Sequence, residues 1–169
     1  MMAALAVTLP IGFHVVGLGR AFSPLLLPLL LNGFLVPPGW AVLTGAVAPI
    51  ASGVMTGMPP FYPPVALIMV VEGVVLGGVA AWLFRWTRPS VWLPLAAAVI
   101  LSRAVNLVLT WQLAGAFGLP QAFSAAASLV QGLPGIVLQC TVVPIVVGLL
   151  RKRRSLLLGV EDDGQAPVL

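Results

Sequence analysis

Glu72 and Arg103 are the charged residues that lie deep inside long apolar segments of this chain. A charge at the centre of a membrane-crossing helix costs roughly 2.5–3.5 kcal/mol on insertion scales, so each needs something that offsets the cost. An acid and a base so placed have two uses. They can close on each other as an ion pair that fixes helix packing, or open onto a polar solute, the carboxylate meeting a cation and the guanidinium a carboxylate or amide. Asn106, Gln131 and Gln139 add carboxamides, which donate and accept hydrogen bonds. As interhelical glue each would contribute on the order of 1 kcal/mol or less. His14 and Arg20 enter from the first apolar segment and the loop after it. A proton relay from Glu72 to His14 is a lesser alternative.

Other chemistry lacks its residues. The sequence holds no P-loop pattern and no HExxH, and its single histidine leaves the serines without a nearby base. Of 4 acidic residues, Glu161, Asp162 and Asp163 sit near the C-terminal end, so no paired carboxylates stand at metal spacing. Cys140 is the only cysteine, which excludes a disulfide framework within one chain. No enzyme, metal or cofactor is expected.

The elements that position these residues follow from composition. Of 169 residues 60% are hydrophobic and 7% charged, and the mean hydropathy of +1.13 lies far outside the range of a soluble domain. An all-α membrane protein is expected. Apolar runs between breakers give six spans, approximately 2–18, 22–36, 39–57, 63–84, 90–117 and 126–150, in one compact bundle over residues 1–150. Pro37-Pro38-Gly39, Pro59-Pro60 with Pro63-Pro64, Arg85-Trp86-Thr87-Arg88-Pro89 and Gly118-Leu119-Pro120 mark the breaks. The N-terminus lacks the basic leader of a signal peptide and is read as the first span.

The basic run Arg151-Lys152-Arg153-Arg154 places the C-terminal end in the cytoplasm, and six spans bring the N-terminus to the same side. The loop with Arg85 and Arg88 must then also be cytoplasmic, while the outer loops hold only Arg20. Two basic clusters therefore agree. In a bilayer protein they read as membrane anchors facing anionic lipid and not as a nucleic-acid surface. Trp82, Trp86 and Trp92 flank the same loop as an interfacial belt. Residues 151–169 form a basic, then acidic, cytoplasmic tail, disordered from Ser155 onward.

Counting helical rise from the cytoplasmic ends places Glu72 and Arg103 about 18–20 Å deep and Gln139 about 16–17 Å. Asn106 and Gln131 lie further out. Ser102/Arg103, Asn106 and Thr110 share one stripe, and Gln131, Gly135 and Gln139 another. Polar groups from the fourth, fifth and sixth spans thus meet at one depth, which suits a pocket opening outward. Trp111, Phe117, Phe61 and Tyr62 can cover an apolar part of a solute. Ala41, Gly45 and Ala48, and Gly73, Gly77 and Ala81, give small-xxx-small seams for close helix approach.

The order of segments carries a resemblance: Leu9-Pro10 and His14, then Gly17-Leu18-Gly19-Arg20-Ala21-Phe22-Ser23-Pro24, Asn32-Gly33-Phe34, and Thr56-Gly57-Met58-Pro59-Pro60. Over residues 1–150 the chain resembles the substrate-binding S components of energy-coupling factor (ECF) vitamin transporters. The resemblance implies a subunit in a prokaryotic cell membrane that captures a vitamin or related micronutrient from outside. It implies as partners a transmembrane coupling subunit and two ATPases, which hydrolyse the ATP. Family sites map here onto Arg20 with Phe22, Met58 through Tyr62, and the layer of Glu72, Arg103, Asn106, Gln131 and Gln139. One departure concerns docking: Ala3, Ala4 and Ala6 do not give the Ala-xxx-Ala surface of many first helices. A structural or assembly subunit, whose buried polar residues only fix helix packing, is the alternative.

Overall fold

The computed structural model describes residues 25–61, 65–87, 90–116, 118 and 121–158, with side chains omitted at 121–125, 129, 131 and 153–158. The first expected span, His14, Arg20 and Tyr62 lie outside the described residues. Among those described, the elements are helices: α1 (Leu26–Leu35), α2 (Pro38–Thr56), α3 (Val65–Trp86), α4 (Trp92–Ala116) and α5 (Gln121–Leu158). By length and composition α2, α3, α4 and Ala126–Lys152 of α5 can each cross a membrane.

The helix limits follow local chemistry. Val36 is extended (φ −125°, ψ 162°) because Pro37 disfavours a helical residue before it, and the Val36 N–H closes the last turn of α1 on the Asn32 carbonyl at 3.0 Å. Pro38 opens α2, where a missing N–H costs nothing. Gly57 ends α2 in the left-handed region (φ 72°), its N–H bonded to the Gly53 carbonyl at 3.0 Å.

The span expected over 22–36 is described only from residue 25, and the membrane-length part of the last helix, Ala126–Lys152, agrees with the span expected over 126–150. The described helix within 22–36 has 10 residues, about 15 Å of rise, half the hydrocarbon thickness. The last helix is longer than 126–150 at both ends. It starts directly after Pro120, and Arg151-Lys152-Arg153-Arg154 does not stop it, because lysine and arginine are good helix formers and cations suit a helix C-terminus. The expected disordered tail is therefore helical through Leu158, and residues 159–169 lie outside the described residues.

Helix α3 packs on α1, α2 and α4. The small-residue seams make this possible. A Cβ on Gly45 would stand 2.6 Å from the Gly73 carbonyl oxygen, and one on Gly33 would stand 2.7 Å from that of Gly77. These backbones meet where a side chain has no room. Beyond the seam, a cluster of Leu26, Leu29, Leu30, Leu76, Leu95, Ala98, Val143 and Val147 fills one end of the bundle. Phe34 meets Phe84 edge to face with ring centroids 4.8 Å apart, and the Arg151 guanidinium lies 4.8 Å over the Phe84 ring. That contact brings the basic end of α5 beside Arg85, so both basic regions share one end. The outward side chains of α2, among them Trp40, Leu43, Val47, Ile50 and Val54, are apolar and exposed, as lipid contact requires.

Candidate functional site

Helix α4 changes character along its buried face. Pro94, Leu95, Ala98 and Val99 are buried in its first half; Ser102 follows, and then Arg103 and Asn106 turn toward α3. Ser102 spends its hydroxyl on the Val99 carbonyl at 3.0 Å, which leaves the next turn to the charged pair. Arg103 Nη1 stands 3.2 Å from Glu72 Oε1, and Asn106 Nδ2 donates to Glu72 Oε2 at 2.9 Å. The Glu72 side chain is 1% exposed and that of Arg103 11%. The antiparallel helix pair therefore brings together the two charges and the amide one turn away, at the matching depth expected from the sequence.

The pair is close but not fully bonded. Glu72 Oε1 accepts no aligned hydrogen bond despite the 3.2 Å approach, so the contact is one of charges, while Arg103 Nε is buried without an acceptor. A guanidinium that met a carboxylate edge-on would use two parallel N–H groups. Here Nε is left over.

Helix α5 supplies the seat. A Cβ on Gly132 would lie 2.8 Å from Arg103 Nη1 and 3.3 Å from Cζ, so the guanidinium rests where α5 has no side chain. Gly132, Gly135, Gln139, Val143 and Val147 form the buried stripe of this helix. Gln139 is 1% exposed, and neither its Oε1 nor its Nε2 has a hydrogen-bond partner. The structure thus buries Gln139 as expected but does not bond it to the Glu72 cluster. Gln131 lies on α5 beside Gly132, with its side chain outside the described residues.

The sequence reading missed Gly132. Stepping back from Val147 through Val143, Gln139 and Gly135 leads to Gln131 by a step of four or to Gly132 by a step of three, and periodicity alone does not choose between them. At the end of α2 the loop that carried the resemblance is internally bonded. Ser52 Oγ donates to the Met58 carbonyl at 2.6 Å, Thr56 Oγ1 donates to the Ser52 carbonyl at 2.7 Å, and the Met58 N–H donates to Thr56 Oγ1 at 3.3 Å. Gly53 has no room for a Cβ beside the Phe61 ring, 2.9 Å away, which holds Phe61 against α2. No group of three or more potential metal ligands occurs among the described residues.

Membrane-length apolar helices around a buried, nearly neutralised acid–base pair define a multi-pass membrane protein with a polar interior layer. Its sequence is more specific. The family profile described as "ECF transporter, substrate-specific component" matches residues 1–147, and the chain belongs to that family. It is a substrate-specific membrane subunit of a transporter. No curated protein and no solved structure matches the chain.

Proposed function

We propose that this chain captures a vitamin or related micronutrient with high affinity on the outer side of a prokaryotic cell membrane. It delivers the solute inward together with a transmembrane coupling subunit and two ATPases. The observation that carries this reading is the family match over residues 1–147, which contains the whole polar layer built by Glu72, Arg103, Asn106 and Gln139. In this reading the chain makes six spans with both ends in the cytoplasm. The shared end of Arg85 and Arg151 supports that orientation under the positive-inside rule. The polar layer then lies in the outer half, the side from which solute arrives. ATP hydrolysis belongs to the partner subunits.

The closed Glu72–Arg103 contact also favours a second reading, in which the polar residues only fix helix packing. Equilibrium binding of a vitamin panel to the purified, folded chain separates the two. Capture predicts saturable binding of one solute, weakened by Glu72→Gln and Arg103→Ala at positions where those variants remain folded. No saturable binding of any vitamin sinks capture and leaves the packing role. An adjacent set of genes for two ATPases and a coupling subunit is the cheapest supporting observation.

A further inference from the structure

The polar layer has charges that are already spent and hydrogen-bonding groups that are not. Glu72 faces Arg103 at 3.2 Å and takes a hydrogen bond from Asn106 at 2.9 Å, so the layer carries no net charge with both side chains ionised. A carboxylate solute on Arg103 would have to compete with Glu72 and would leave a net negative charge in a buried site. A cationic solute on Glu72 would leave a net positive one beside Arg103. Both are penalised strongly where water is excluded. The groups left over are Arg103 Nε, a donor, and the Gln139 carboxamide, a donor and an acceptor side by side.

Both groups lie along one face of α5, with glycines between them. Gln139 is seven residues beyond Gly132 on the same face of α5, about 10 Å along the axis, and helical Cβ atoms tilt toward the N-terminus, so its Cβ is set toward the Gly135 and Gly132 side. The guanidinium lies against Gly132. Between Arg103 and Gln139 the buried stripe of α5 therefore offers Gly132 and Gly135, which carry no side chains.

Resting on the capture reading, we propose that the solute is net-uncharged and presents a primary amide, or a ring amide, imide or ureide, with an N–H beside a carbonyl, to the Gln139 carboxamide, while a further acceptor takes the Arg103 Nε–H. The reciprocal pairing satisfies both ends of the Gln139 amide at once. It recognises the solute without separating the Glu72–Arg103 pair.

The test uses the full chain in lipid nanodiscs and probes matched except for charge: nicotinamide against nicotinate, biotin amide against biotin, and pantothenamide against pantothenate, with riboflavin and thiamine as unpaired neutral and cationic probes. The expected result is saturable binding of a neutral amide or imide, with any charged counterpart at least about tenfold weaker. Gln139→Leu is expected to weaken that binding about 10- to 100-fold, the value of one or two buried hydrogen bonds, while leaving the unfolding midpoint unchanged or higher. A Gln139 that serves packing alone would behave in reverse: Gln139→Leu would lower the midpoint and spare affinity, which overturns the proposal. Tight binding of an acid or of thiamine, with the neutral probes ignored, overturns it too but leaves capture intact. No saturable binding of any probe sinks both.

Discussion

The two halves of the bundle are held by different physics. Around Leu29, Leu76, Leu95 and Val143, buried side chains interlock and the backbones of α1 and α3 close on each other through Gly33 and Gly77. Lipid tails are as apolar as leucine, so burial itself contributes little there, and what holds the contact is dispersion between close-packed surfaces. Around Glu72, Arg103 and Asn106 the interior is instead polar, and charge in a low dielectric holds α3 to α4. The apolar half loses a little with each missing methyl group. The polar half can lose nearly everything with one missing partner, because what remains is an uncompensated buried charge.

Arg103→Ala should therefore be the most damaging single change, costing about 3–5 kcal/mol because the buried Glu72 carboxyl loses its charged partner and keeps only Asn106 beside it. Denaturant titration in mixed micelles measures it. The double change Glu72→Gln with Arg103→Met should recover to within about 1 kcal/mol of the parent, since replacing a whole buried pair is often close to neutral. If the double variant is as unstable as the single one, the side chains matter for shape and the contrast of charge against packing fails. Leu76→Ala, in the apolar half, should cost about 2 kcal/mol, the low end of the usual range, because the cavity term survives in lipid while the transfer term nearly vanishes. A loss as large as that for Arg103→Ala would erase the difference between the halves.

Much of this arrangement was legible in the chain, for reasons that also explain the failures. Glu72 and Arg103 could be paired in advance because prolines and basic residues fix where α3 and α4 turn, and helical rise does the rest. The glycines at positions 45, 73 and 77 showed close seams, since four-residue spacing puts small residues on one face. The helical stretch beyond the last span was not foreseen because a run of Arg and Lys marks where hydrophobicity stops, and a helix can continue past that point. The Gly132 seat was harder to see. Neighbouring positions 131 and 132 both lie near the buried stripe, and only the rotation of α5 against α4 decides which backbone meets the guanidinium. That rotation is set by packing across the bundle, not by local periodicity.

Gly132→Ala tests how finely the polar half is tuned, and it carries the smallest expected cost in stability. The added methyl would lie 2.8 Å from Arg103 Nη1, too close to tolerate, but the obstacle is the end of a flexible side chain and not a backbone. Arg103 can shift by a few tenths of an ångström without leaving Glu72, so the loss should stay near about 1 kcal/mol or below, well short of the cost of removing the charge. Alanine also favours the helix by roughly 1 kcal/mol over glycine, which offsets part of that loss. Binding should respond differently, because the displaced guanidinium no longer presents Nε as before. The expected outcome is a nearly unchanged unfolding midpoint with solute affinity reduced about tenfold, read by thermal unfolding and equilibrium binding on the same preparation. If stability falls while affinity holds, Gly132 serves only close packing of α5 on α4, and the polar layer tolerates movement of Arg103 that a binding site should not.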